Sequence, residues 1–395
     1  MPTIRSIGYR KVLNSQVEFT NEFIVYLNDG SIGIGAAPKG ETLSIYEESE
    51  VSCEPENIIQ SIDRDGYIGK LLKQVDFDNY LNQRFDTFGR NNAYGLSLAF
   101  FNAANVPHKF LENLDNPVLK FTPPYICCNI LNGGGHAYTN PVLSDFPEFL
   151  LVSKSNNIEE IIKDHNEIQR VVKEKLIEQT KTIVSGNPVS CFSTTDNREC
   201  IEFLLNVCYN LGLSEKFDLM IDASGGDLWT DQGYLLAITD GSVLSSEEFY
   251  EYWMEIINQY DLRYIEDPFH EKDMENWHRL TNSQQSCNVI GDNFYSSDTE
   301  RIKIGAAQKY THGVIVKPNQ AGTVTAIQRA IKTAQCANQI TITSHRSIST
   351  ESLFLSMLTC TNNVKYIKIG PLMTDYSSVI RLNEIIRLTE DLSCQ

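Results

Sequence analysis

Several short apolar runs in this chain end on side chains that can do chemistry. Asp222 closes "FDLMID", Glu266 and Asp267 close "LRYIED", Asp292 closes "NVIGD" and Lys317 closes "GVIVK". Ser344, His345, Arg346 and Ser347 follow "QITIT", and Lys368 lies within "YIKIG". Asp222, Glu266 and Asp292 together make a hard, oxygen-only donor set, which suits magnesium. Beside a divalent ion a lysine pKa falls, and a neutral amine can take a proton. A base plus a metal suits removal of the proton α to a carboxylate, because the ion stabilises the doubly charged aci-carboxylate that forms. Arg346 can grip a phosphate or carboxylate through two parallel hydrogen bonds. Taken singly, each acid also reads as a solvated turn residue or a helix N-cap. Each lysine taken singly reads as a snorkelling side chain with a solvated head.

The elements that must position these groups decide between the two readings. From Glu266 the steps to Asp292, Lys317, His345 and Lys368 are about 23 to 28 residues, the length of one strand–helix unit. About eight short apolar runs after Pro123-Pro124, most of the later ones separated by segments of helical length, predict a closed barrel. In such a barrel all these strand ends converge on one mouth. The first two runs, "YICCNIL" and "EFLLV", have little between them and predict a hairpin rather than a strand–helix unit. Upstream, "FIVYLNDGSIGIGAAP" predicts two strands joined at Asn28-Asp29-Gly30. "NNAYGLSLAFFNAA" predicts a helix suited to close packing. The fold class expected is therefore α/β, with a capping α+β domain over residues 1–120 and an αβ barrel over residues 121–395.

Charge and composition exclude other classes. A formal net charge of -18 argues against nucleic-acid and membrane partners. It permits an anionic substrate where a metal or a local cationic cluster reverses the field. No stretch approaches the roughly 18 apolar residues of a membrane span, and the opening "MPTIRSIGYRKVL" has no signal-peptide core. The 10 cysteines form no C-x-x-C pair and read mostly as reduced, buried thiols of a cytoplasmic protein. "NGGGH", ending at His136, is a glycine-rich loop that carries little weight alone.

Six stretches, in order, resemble the enolase family: "FGRNNAYGLSLAF", "NILNGGGHA", "YIEDPF", "VIVKPNQAGTVT", "ITSHRS" and "IKIG". Enolase-superfamily sites use a Lys or His base with one or two magnesium ions. The resemblance implies a barrel capped by an α+β domain, a homodimer, and a small phosphorylated or phosphono carboxylic acid as substrate. It implies that Asp222, Glu266 and Asp292 ligate Mg2+ and that Lys317 removes the proton at C2. It further implies that Lys368 meets the substrate carboxylate, and that Arg346 and Ser347 hold the phosphate. His136 and His345 match active-site histidines, Glu148 in "PEFLL" matches an active-site glutamate, and Thr42 stands where a serine binds a second magnesium.

The chain departs from the family pattern at the acid that helps the 3-hydroxyl leave. Asn187 and Pro188, in "SGNPVSCFST", stand where Asp and Glu are expected. The nearest acids, Asp196 and Glu199, fit the charge preference of a helix start better. The loop "PKGETL" gains Lys39 and Glu41, "GPLMTDYS" lacks the family's arginines, and Asn293 replaces a second aspartate. The expectation is a magnesium-dependent lyase acting on a 2-phosphoglycerate-like acid, with His345 or Glu148 supplying the proton. The alternatives are a phosphonate-biosynthesis enzyme of the carboxyphosphonoenolpyruvate synthase type and a catalytically inactive binding protein.

Overall fold

The Asn28-Asp29-Gly30 turn does join two antiparallel strands, Phe19–Leu27 and Ile32–Ala36, and Ile4–Leu13 pairs on the other side of the first. The computed structural model describes residues 1–40, 43–47, 53–105, 121–134, 140–178, 182–184, 187–189, 195–283, 286–372 and 376–389. Thr42 and His136 lie outside them. The helix Arg90–Ala104 packs on this three-stranded sheet at backbone distance. A Cβ at Gly33 would stand 2.1 Å from the Ala103 amide nitrogen, and one at Gly35 would stand 2.2 Å from the Gly95 carbonyl oxygen. Glycine is required there because nothing larger fits between sheet and helix. Helices Pro55–Arg64 and Gln74–Asn82 close a small core around Phe23, Phe77 and Phe100, all fully buried.

The rest of the chain closes an eight-stranded barrel. In chain order its strands are Tyr125–Asn132, Glu148–Ser153, Phe217–Asp222, Tyr264–Glu266, Asn288–Gly291, Gly313–Val316, Ile340–Ser344 and Tyr366–Ile369. The first two form the antiparallel hairpin that their close spacing predicts, and the second is antiparallel to the third as well. All other neighbours are parallel. Two helices, Ile158–Glu178 and Arg198–Asn210, follow the second strand, and single main helices separate most later strands. Among the described residues no helix is long and apolar enough to cross a membrane.

A second, separate core plugs the barrel: Cys127, Leu150, Val152, Met220, Tyr264, Ile290, Ile315 and Ile342, with Tyr366 packed against them. Strand side chains alternate with period two, so the residue two positions on points the same way. Two past Met220 is Asp222, past Tyr264 is Glu266, past Ile290 is Asp292, past Ile315 is Lys317, and past Tyr366 is Lys368. Leu150 has its partner two positions before it, Glu148, because that strand runs the other way. One alternation thus makes both the apolar plug and the polar mouth above it.

Candidate active site

Register brings the strand-end acids side by side. Asp222 lies opposite Glu148 on one neighbouring strand and opposite Glu266 on the other. Lys368 rises between them: its Nζ lies 2.8 Å from Glu148 Oε2, 2.8 Å from Asp222 Oδ2 and 2.6 Å from Glu266 Oε2. Lys317 pairs with Asp292 Oδ2, and its backbone N–H donates to Ser297 Oγ at 2.8 Å. Asp267 holds the turn beyond: its two carboxylate oxygens accept from the backbone N–H groups of Asp292 and Asn293, at 2.8 and 2.7 Å. Asn129 donates to Glu148 Oε1 at 2.9 Å.

The electrostatics follow from crowding acids in a buried mouth. Burial pushes the Glu266 carboxyl well above the usual range, and Asp222 adds to this, against the pull of Lys368. Asp267 is raised in the same way, by burial and then by Asp292 and Asp222. Burial alone would lower the Lys368 pKa, but Asp222, Glu148, Glu266 and Asp292 together hold it well above the ordinary lysine value.

The donor set fits a divalent cation. Four carboxylates, Glu148, Asp222, Glu266 and Asp292, face two ammonium groups, so acids outnumber cations at the mouth. Glu266 Oε1 and Asp292 Oδ1 are buried without a hydrogen-bond partner among the described residues. Such oxygens are costly unless something cationic meets them. As positioned, however, no three His, Cys, Asp or Glu side chains among the described residues converge as a ligand group. The lysines stand between the acids, so an ion at Asp222, Glu266 and Asp292 would require Lys368 to swing aside.

The loop after the seventh barrel strand carries the anion-binding candidates, and the capping region stitches it down. Lys39 and Ile348 exchange backbone hydrogen bonds at 2.9 and 3.1 Å, and the Ser15 N–H donates to the Ser349 carbonyl at 2.9 Å. Arg346 is buried, and its guanidinium donates to both oxygens of Glu47, at 2.6 and 3.4 Å. A Cβ at Gly40 would lie 1.6 Å from the guanidinium nitrogen Nη2, so the capping loop passes directly over this group. Ser44 Oγ donates to the Asn293 carbonyl at 2.8 Å, which docks the same loop on the barrel. His345 and Ser347 line a cavity of about 600 Å³ that reaches Glu148. Sequence reasoning missed Glu47, whose contact depends on two elements packing together, and Arg381, whose Nη1 lies 3.0 Å from His345 Nδ1.

Residues 120–395 match the family model described as "Enolase, C-terminal TIM barrel domain". The chain belongs to the enolase family. It is 28% identical to an enolase of Methanosphaera stadtmanae, over 98% of this chain and 97% of that protein. It is 26% identical to an enolase of Campylobacter jejuni subsp. jejuni serotype O:23/36, over 94% of each. Identity this low over nearly full length marks a divergent enolase family member. Asn187 and Pro188 lie on a short strand, Asn187–Val189, that pairs antiparallel with Thr182–Val184 and sets Pro188 opposite Ile183. Asp196 and Glu199 lie at the start of helix Arg198–Asn210, as their charge predicts.

Proposed function

We propose that this protein is a magnesium-dependent, enolase-type carbon–oxygen lyase that removes the proton α to the carboxylate of a 2-phosphoglycerate-like acid. The observation that carries the reading is the polar ring at one barrel mouth, where Lys317 lies against Asp292 and Lys368 lies among Glu148, Asp222 and Glu266. The barrel, residues 121–395, supplies the chemistry, and residues 1–120 cap it. Asp222, Glu266 and Asp292 are the residues that would hold Mg2+. The ion, when bound, offsets the negative charge that builds on the substrate carboxylate. Lys317 Nζ takes the C2 proton, and the electron pair of that bond moves towards the carboxylate. Lys368 orients the carboxylate, while Arg346 and Ser347 hold the phosphate. Release of the 3-hydroxyl as water then needs a proton from the mouth, for which Glu148 and His345 are the candidates. The roles carried by Thr42, at a second ion, and His136, at the substrate, belong to the same reading, as does a homodimer.

Exchange of the C2 hydrogen of 2-phosphoglycerate in D2O isolates the first half of the reaction. Phosphoenolpyruvate absorbance follows the second. Exchange that needs magnesium and outruns phosphoenolpyruvate formation is the expected result, because Asn187 and Pro188 replace the family's acid. Neither exchange nor product, with added magnesium, would sink the proposal. Pro188 also favours a second reading, a phosphono-carboxylate substrate of the carboxyphosphonoenolpyruvate synthase type, whose leaving or attacking group makes a different demand on that position. Magnesium-dependent binding of 2-phosphoglycerate with no exchange would move the assignment there.

A further inference from the structure

His345 sits on the loop after the seventh barrel strand, half-buried, with one ring nitrogen committed. Its Nδ1 lies 3.0 Å from Nη1 of Arg381, on the final helix Tyr376–Thr389. A guanidinium has N–H donors only and keeps its proton in proteins. Nδ1 must therefore be the acceptor, and the ring proton must sit on Nε2. Arg381 is itself fixed. It is buried, Nη1 also donates to Ser377 Oγ at 2.8 Å, Nη2 donates to the Thr350 carbonyl at 3.2 Å, and its own carbonyl accepts from Ser356 Oγ at 2.7 Å. Other charged groups lining the cavities that His345 lines are Glu148, Glu351 and Arg346.

We infer that Arg381 is a positioning residue that fixes His345 as its neutral Nε2–H tautomer, so that His345 is not the acid that releases the leaving group. Protonating Nδ1 would break the bond to Arg381 and set two cations against each other. A neutral imidazole offers only its Nε2–H, a far weaker acid than an imidazolium. That leaves Glu148 as the mouth's candidate for the dehydration proton. The catalytic consequence rests on the enolase-type reading above, whereas the tautomer does not.

Long-range 1H–15N correlation spectra of histidine-labelled protein at neutral pH read the tautomer directly, with His345→Gln assigning the signal. The expected spectrum has an acceptor-type Nδ1 and a protonated Nε2 for His345. In Arg381→Leu this single pattern should give way to a mixture or a doubly protonated ring, and Arg381→Lys, which also only donates, should retain it. A protonated Nδ1 in the parent protein, alone or in a doubly protonated ring, overturns the inference, as does an unchanged signal in Arg381→Leu. If Arg381→Leu does not fold, the parent spectrum and Arg381→Lys still decide. Absence of exchange activity would count against the enolase-type reading and leave the spectra unaffected.

Discussion

The mouth is assembled from two kinds of group that differ in what holds them. Asp222, Glu148, Glu266 and Lys368 stand on barrel strands, Asp292 and Lys317 directly follow theirs, and the ladder fixes their spacing. Arg346 and His345 stand on a loop, and their partners arrive from elsewhere: Glu47 from the capping region and Arg381 from the last helix. The first group keeps its geometry as long as the barrel closes. The second depends on how the loop docks against its neighbours. In an enolase family member at 26–28% identity, the strand-borne group thus rests on the barrel ladder alone, and the loop-borne group on contacts between separate elements.

The largest expected effect tests the strand-borne group. Lys317→Ala removes the proposed base, and a general base contributes typically about 10²–10⁴-fold. C2–H exchange should fall by that range, with substrate binding much less affected. If exchange survives, Lys317 is not the base.

Lys368→Met probes the same cluster through stability. It leaves Glu148, Asp222 and Glu266 without their shared cation, and removing one partner of a buried charge cluster costs about 3–5 kcal/mol. Urea unfolding without magnesium should show that loss, and added magnesium should stabilise the variant more than the parent. The pKa of Lys368 is raised on folding. Its contribution is thus fully present below the unfolded lysine value of about 10.4 and is lost only as pH rises through the higher folded value. The gap between parent and variant that comes from the lysine charge should hold steady across roughly pH 6 to 9. A gap that closes in that window would contradict the assigned direction.

The same contrast explains what could be read from the chain alone. The barrel was legible because short apolar runs alternate with segments of helical length and end on Asp222, Glu266, Asp292 and Lys317 at the spacing of one strand–helix unit. That pattern is local. Position 188 reads as a departure from sequence alone because a proline cannot supply an acid, and its place on a short strand neither adds to nor removes from that reading. Glu47 was not legible, since nothing in "SIYEE" indicates a partner 299 positions away. Nor was Arg381, which reads as one more polar residue of an ordinary helix although it is buried. The minor sheet of Trp229–Thr230, Gly233–Leu236 and Ser242–Leu244 also went unread, because its strands are too short to show a period.

Glu47→Gln tests the loop-borne group with a smaller expected effect. A carboxylate takes up part of the guanidinium's five donors and orients the rest. Replacing it by an amide keeps the shape and removes the charge. KM for the phosphorylated acid should rise by about tenfold, with kcat changed by no more than about twofold, the signature of lost binding that ground and transition states share. A lower KM would show instead that Glu47 competes with the substrate for Arg346, and the capping loop would then obstruct the site it was taken to complete.

The smallest effect is expected at Asp196, one of the acids nearest in sequence to Pro188. Its side chain is 43% exposed and pairs with Arg198 at 3.3 Å, and its Oδ1 accepts from the Arg198 backbone N–H at 2.9 Å. These contacts belong to a helix start, where an acid is worth about 0.3–1 kcal/mol at a partly exposed site. Asp196→Asn should therefore lower stability by no more than about that amount and leave C2–H exchange and product formation at the parent level. An acid that had taken over the dehydration proton would behave differently: product formation would drop by about 10²–10⁴-fold while exchange at C2 continued. That split would place the replacement acid at the start of helix Arg198–Asn210, and would take the dehydration proton away from Glu148.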